Sequence, residues 1–341
     1  MDFSASINPL GPPESVQRAL QAALETLGHY PDPAYGDLRL ALGAYHHLPP
    51  DWVLPGNGAA ELITWAARDL VTLGCPSVYL PTPAFNDYQR ACHSFDGTIT
   101  PWPLLTPALG SDPRPTVDLR VGDLIATAPP GAGVLVNNPH NPTGHLFGLD
   151  DLRPLLDHFR LVVVDEAFMD FLPPTIAPSL APWVEQYPNL VVIRSLTKFY
   201  SLPGLRLGYA LGHPDRLRRW QRWRDPWPVN TLAAAAAMAA VADQAFQAQT
   251  WAWLPPTRQA LQDGLAARAG SSPLPSAANY LLVRASGSVT ALQHTLLRQS
   301  QVLIRDCLSF AELGDHYFRV AVRSTVENER LLTALTTAQG L

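Results

Sequence analysis

The chain has 341 residues, 47% of them hydrophobic and 16% charged, enough for a sizeable core in two domains or one large α/β unit. A net charge of −5 argues against a nucleic-acid or polyanion surface, and no run of about 20 apolar residues is present to span a bilayer. The three cysteines, Cys75, Cys92 and Cys307, lack metal-ligand spacing, so the expectation is no metal, buried thiols and a reducing, cytoplasmic setting.

Residues 2–13 have neither the basic start nor the apolar run of a signal peptide. They read as an extended arm, because Asn8-Pro9 and Gly11-Pro12-Pro13 oppose regular helix, and the prolines suit the start of a helix over Glu14–Leu27. A loop, His29-Tyr30-Pro31-Asp32-Pro33, precedes a helix from about Asp37 to His47. Gly56 and Gly58 lead into a helix reaching about Leu73. Bare N–H groups at such a start suit a phosphate, although an ordinary glycine-capped turn has the same sequence.

Val78–Leu80 reads as a strand followed by a helix, whose Phe85 and Tyr88 fit a core equally well. The proline-rich residues 101–115 read as a surface loop. Gly133–Val136 is a buried strand ending in N-N-P-H-N-P-T-G, residues 137–144, a rigid turn. A helix around Pro154–Phe159 leads to the strand Leu161–Val164 and then Asp165. The strand Leu190–Ile193 runs into S-L-T-K-F-Y-S-L-P-G-L-R-L-G-Y, residues 195–209, and Gly208–Leu211 adds another strand. Short apolar strands alternating with helices from 53 to about 225 make a mostly parallel α/β sheet, with these motifs at the carboxyl ends where such sheets bind ligands.

The Arg/Trp-rich Arg216–Trp227 reads as a surface helix, and the alanine-rich Asn230–Val241 as a closely packed helix at a domain or subunit contact. Beyond about 250 the order changes. A helix over Thr257–Ala269, a Ser/Pro joint at 271–276, strand Tyr280–Val283, helix Val289–Gln299, strands Val302–Ile304 and Phe318–Val322, and helix Glu327–Gln339 suggest a small mobile α/β domain. The expected division is 1–30 for the arm and helix packing on the small domain and active site, 31–235 for the large domain and 236–341 for the small one.

Lys198, just past a strand end and before a Gly-containing turn, sits where a nucleophilic amine would be held. Ser195 and Arg206 can both donate to a phosphate, the arginine as a charged fork. A solvated lysine after a strand is the plainer reading. The spacing of Ser, Lys, Gly, Arg and Gly over 195–209, however, resembles the lysine signature of fold-type I pyridoxal phosphate (PLP) enzymes, the aspartate aminotransferase superfamily.

That resemblance implies a large PLP-binding domain with a mostly parallel, seven-stranded-type sheet, plus a small α/β C-terminal domain. It implies that Lys198 carries the cofactor, and that the backbone at Gly58, Ala59 and Ala60 holds its phosphate with Ser195 and Arg206. Phe85 would stack on the ring. Asn141, in the match to N-P-x-N-P-T-G, would bond the ring hydroxyl, and Asp165 would pair with the ring nitrogen and make the ring an electron sink. Phe168 stands where many aminotransferases have tyrosine, which leaves the ring oxygen to Asn141. Tyr30, in Y-P-D-P, matches a tyrosine that reaches the partner's PLP phosphate, so a homodimer is implied.

The opening D-F-S-A-S-I-N-P-L-G-P-P resembles threonine-phosphate decarboxylases and, less closely, histidinol-phosphate aminotransferases, which makes Asn8 a candidate substrate contact. Arg319, Ala321 and Arg323 fall on one strand face by period-two geometry, where two arginines repel unless an anion or solvent lies between them. The superfamily places its substrate-carboxylate arginine at Arg319. Arg323, where histidinol-phosphate aminotransferases show glycine, resembles the decarboxylases, as does Arg305 in L-I-R-D-C. The implied reaction is decarboxylation of L-threonine O-3-phosphate in cobalamin synthesis, with Arg305, Arg319 and Arg323 engaging the substrate anions. An aminotransferase of the histidinol-phosphate type is the alternative, and a catalytically silent binding protein a third.

Overall fold

A computed structural model describes residues 1–106, 114–176 and 179–339. Seven strands form the main sheet in the spatial order Val53–Asn57, Leu207–Gly212, Leu190–Ser195, Leu161–Asp165, Gly133–Asn137, Val78–Thr82, Ile99–Pro103. All run parallel except Leu207–Gly212, which lies antiparallel to both neighbours. The central strands are buried along their whole length, which is why their sequences are continuous apolar runs rather than alternations. Alternate residues still divide between two faces. Leu161 and Val163 pack with Leu62 and Ile63 of the helix Gly58–Thr72, while Val162 and Val164 belong to the opposite layer with Ala236 and Ala240 of the helix Thr231–Ala242.

A second, antiparallel sheet follows in the order Ser271–Pro273, Tyr280–Ala285, Tyr317–Ala321, Arg305–Asp306. The N-terminal arm is stitched to it. Phe3 N–H donates to the Leu303 carbonyl at 2.8 Å, the Phe3 carbonyl accepts from Ala321 N–H at 2.9 Å, and the Phe3 ring is completely buried. At its other end Asn8 N–H donates to the Lys198 carbonyl at 3.0 Å, so the arm bridges the two sheets beside the lysine.

Several expected elements move. Ile99–Pro103, which runs into the stretch expected as loop from residue 101, is a strand. As an edge strand it tolerates Pro101 and Pro103, whose missing donors the ladder does not need. Leu105–Thr106 pairs with Thr116–Val117, and residues 107–113 of that loop lie outside the described residues. The Arg/Trp-rich helix spans only Pro214–Gln221 and is not purely superficial, since Trp220 is buried and donates to Asp69, which Arg216 and Arg219 also hold. The helix expected to begin at Thr257 runs from Gln244 to Ala266, straight through Pro255-Pro256. Burial of Leu254, Leu261 and Leu265 outweighs the helix bonds those prolines lose. The strand placed at Val302–Ile304 lies at Arg305–Asp306, and Ser271–Pro273 of the expected joint is a strand. Among the described residues no helix is long and apolar enough to cross a membrane.

Beneath the carboxyl ends of the central strands, Arg194 is almost fully buried between two carboxylates. It bonds Glu166 at 2.7 Å and also Asp170, while Glu166 takes Ser179 Oγ and Leu180 N–H. This cluster ties the strand ending at Asp165 to the strand ending at Ser195. Arg194→Leu leaves two buried carboxylates without a counter-ion and is expected to cost about 3–5 kcal/mol. A urea midpoint unchanged from the parent would show that the cluster does not hold the strand ends.

Candidate active site

A cavity of about 440 Å³ opens where the parallel strands end. Asn137, Asp165 and Ser195, each the last residue of its strand, form the floor. Lys198 and Arg206 enter from the following turn, Ala59 and Ala60 from the start of the helix Gly58–Thr72, and Arg305 and Arg319 from the small sheet. Ser4–Ile7 of the arm cover one side.

Burial pushes the Lys198 amine below its ordinary pKa. Asp165 opposes this, and the Arg206 and Arg319 cations add to it. The Nζ atom has only a long contact, 3.4 Å, to Thr197 Oγ1 and lies 5.2 Å from the Phe168 ring centre. Burial thus shifts the amine toward its neutral, nucleophilic form. Asp165 is 5% exposed. Burial raises its pKa, whereas hydrogen bonds from Tyr88 and Ala167 and the Lys198 charge lower it. Its Oδ1 accepts Ala167 N–H at 2.9 Å and its Oδ2 the Tyr88 hydroxyl at 2.7 Å.

The helix beside this pair starts with unpaired N–H groups, as every helix does. Gly58 has φ +77°, and a Cβ built there would lie 2.5 Å from Arg206 Nη2. A Cβ on Gly208 would lie 2.6 Å from the Ala59 nitrogen. Only glycine at both positions lets the guanidinium and the neighbouring strand approach the helix start. Ser195 and Thr197 share a hydroxyl hydrogen bond of 2.7 Å at the same spot. Together these groups form a cradle for a phosphate. With a nucleophilic amine and a buried carboxylate lining the same cavity, the donor set fits PLP. Gly58→Ala is expected to displace Arg206 and weaken PLP binding about tenfold or more, from left-handed strain and loss of a charged donor. An unchanged dissociation constant in a fluorescence titration would contradict that.

Arg319 stands directly opposite Arg305 across paired strands. Its Nη1 donates to Asn141 Oδ1, its Nη2 to the Ser4 carbonyl at 3.2 Å, and its guanidinium lies 4.9 Å from the Tyr280 ring centre. The Nε is buried without a partner, and burial holds the group below the usual arginine range. Arg305 is exposed and bonds Ser309 Oγ at 3.1 Å; neither arginine has a carboxylate partner among the described residues. Asn141 is fixed by donating its N–H to Asn137 Oδ1 at 2.6 Å.

Three of the expected site residues lie elsewhere. Arg323 does not line the cavity: it pairs with Glu327 at 2.7 Å, donates to the Asp2 carbonyl at 3.2 Å and covers Phe3. The strand ends at Ala321, so the alternation that would have carried Arg323 to the Arg319 face stops short of it. Asn8 is buried and spends its side chain on the Phe199 carbonyl, Thr250 Oγ1 and Leu10 N–H, which anchors the arm and leaves Ser4–Ile7 to face the cavity. Tyr30 is 79% exposed and stacks on Trp227 at 4.5 Å, away from this chain's cavity. Phe85 does reach the cavity, edge-on to Tyr88. Two groups escaped the sequence reading. Thr197 carried a signal in its place between Ser195 and Lys198, whereas Tyr88 resembled an ordinary core aromatic.

The aminotransferase class I and II family model matches residues 1–335. The chain is 38% identical over 342 residues to the threonine-phosphate decarboxylase of Salmonella typhimurium, covering 98% of this chain and 90% of that protein. It is 33% identical over 344 residues to histidinol-phosphate aminotransferase 2 of Nitrosospira multiformis, covering 98% and 83%. The solved histidinol-phosphate aminotransferase of Sinorhizobium meliloti, in complex with pyridoxal 5′-phosphate, has the same fold: TM-score 0.83 at 23% identity, with 99% of this chain and 90% of that one covered.

Proposed function

This chain belongs to the aminotransferase class I and II family, and we propose that it decarboxylates L-threonine O-3-phosphate to (R)-1-amino-2-propanol O-2-phosphate. Its cofactor, pyridoxal 5′-phosphate, supplies a protonated ring that accepts the electron pair of a bond breaking at the substrate Cα. The N–H groups at Gly58, Ala59 and Ala60, with Ser195 and Arg206, hold the cofactor phosphate. Asp165 would keep the ring nitrogen charged, the Asn141 amide would meet the ring hydroxyl and Phe85 would cover a ring face. Lys198 Nζ would hold the cofactor covalently and, when free, would carry the proton that replaces the lost carboxylate at Cα.

The observation that carries this reading is the Arg305–Arg319 pair. Two facing cations with no protein carboxylate between them suit a phosphate dianion, which both can grip. A phosphate held there would occupy the arginine that would otherwise hold the substrate carboxylate. The carboxylate, with no arginine left to hold it, would then be free to leave as CO2. The second reading, a histidinol-phosphate-type aminotransferase, draws on the Arg319–Asn141 contact. A carboxylate bound by Arg319 beside Asn141 would be retained, and Cα–H would be the bond that breaks.

The product is one of cobalamin biosynthesis, and the free cysteines suit a cytoplasmic setting. The exposed Tyr30 is assigned to the cavity of a second copy, making the enzyme a homodimer.

The phosphate assignment is tested by comparing threonine phosphate with threonine in the parent and in Arg305→Met. The variant should lose about ten- to a hundredfold in kcat/KM for the phosphorylated substrate only, the range of one or two charged hydrogen bonds. Equal losses for both substrates would remove Arg305 from the phosphate site.

A further inference from the structure

Tyr88, on the helix Asn86–His93, has a ring that is 2% exposed and a hydroxyl that meets Asp165 at the edge of the cavity. Burial, reinforced by the Asp165 charge, pushes the phenol well above its ordinary pKa, so it remains a donor at any working pH. Asp165 is thus tied at both oxygens from two separate elements: Oδ2 by Tyr88 across the helix–sheet boundary, and Oδ1 by the Ala167 N–H of the following turn. Two such bonds fix the plane of a carboxylate and leave lone pairs on both oxygens for a further donor.

We propose that Tyr88 is a positioning residue, whose hydroxyl holds the Asp165 carboxylate in the orientation and ionised form that the cofactor's ring nitrogen requires. This rests on the PLP reading above. The inference depends on the hydroxyl: a residue serving only as an aromatic wall could be phenylalanine, as Phe85 beside it is. Other charged or titratable groups face Asp165 without bonding it. Lys198, from the turn after the Ser195 strand, favours the ionised carboxylate; Asp87, on the Tyr88 helix, opposes it; and the Tyr280 hydroxyl is committed to the His140 carbonyl. Among the described residues Tyr88 is therefore the one side chain that donates a hydrogen bond to the Asp165 carboxylate.

The sign of the pH effect follows. Burial raises the Asp165 pKa and the Tyr88 bond lowers it, so removing the hydroxyl raises it further. On acidification the carboxylate, and with it the grip on the ring, is then lost at a higher pH.

The test is a fluorescence titration of the full-length apo chain with PLP across the pH range, in the parent, Tyr88→Phe, Asp165→Ala and the double variant. Tyr88→Phe keeps the ring and removes only the oxygen. It should weaken PLP about tenfold at neutral pH, move the acid limb of the affinity profile upward, and cost nothing further in the Asp165→Ala background. An affinity and acid limb equal to the parent's would overturn the proposal. So would the same loss with and without Asp165, because Tyr88 would then act on the cofactor directly. A parent chain that binds no PLP overturns the cofactor reading and this assignment together, whereas parent binding with an unaltered Tyr88→Phe overturns this assignment alone.

Discussion

Lys198→Ala is expected to lower turnover by about 10³-fold or more, the range of losing a nucleophile that also serves as the proton carrier, while PLP stays bound non-covalently. Retention follows from the geometry. In the proposed site the phosphate cradle lies on the helix start and on the Ser195 turn, and Asp165 lies on another strand, so neither is placed by the amine. The fold should survive as well, because the backbone bond at this position, from Asn8 N–H to the residue-198 carbonyl, does not use the side chain. Reduction with borohydride followed by denaturing mass spectrometry separates the two states: the parent keeps the cofactor mass and the variant does not. Full activity in the variant would end the assignment of Lys198.

Arg319→Met is the second large effect. The guanidinium is half-buried, aligned by Asn141 and Ser4, and has a buried Nε with no protein partner. An anion that meets it is desolvated with it, and truncating one side of such a pair typically costs 2–5 kcal/mol. The expected loss in kcat/KM is about a hundredfold or more, measured with threonine phosphate at saturating PLP. Arg323→Gly provides the contrast. Because Arg323 pairs with Glu327 and holds the arm at Asp2, its loss should lower activity modestly and equally for phosphorylated and unphosphorylated substrates. A selective loss with threonine phosphate in that variant, or parental kinetics in Arg319→Met, would reverse the roles given to the two arginines.

What the sequence made legible follows from how locally each feature is encoded. Lys198, Asp165 and Asn141 stand at or just beyond the ends of apolar runs that mark themselves as buried strands, so their positions could be read without knowing the neighbours. The fold class was legible for the same reason. Features that depend on register or on distant pairing were not. Arg305 and Arg319 meet only because two short strands align in one register. Period-two reading set Arg323 beside Arg319 by extending the alternation past Ala321, where the strand ends. Tyr88 and Asp165 are 77 residues apart, and nothing local to an aromatic on an amphipathic helix reveals that its hydroxyl faces a carboxylate. The arm was recognisable from its prolines. Which of its residues face the cavity depends on Asn8 finding Phe199 and Thr250, a tertiary choice that left Ser4–Ile7 over the site. Pro255-Pro256 misled in the opposite direction, because a local breaker was outweighed by burial along a 23-residue helix.

The most direct measurement is to supply PLP-loaded protein with L-threonine O-3-phosphate in the absence of any keto acid and to follow CO2 and aminopropanol phosphate by mass spectrometry. With the substrate phosphate between Arg305 and Arg319 and the carboxylate free to leave, both products should appear together over many turnovers per site. No CO2, but a single stoichiometric conversion of the cofactor to pyridoxamine phosphate with glutamate, would contradict the decarboxylase and establish Cα–H as the bond this site breaks.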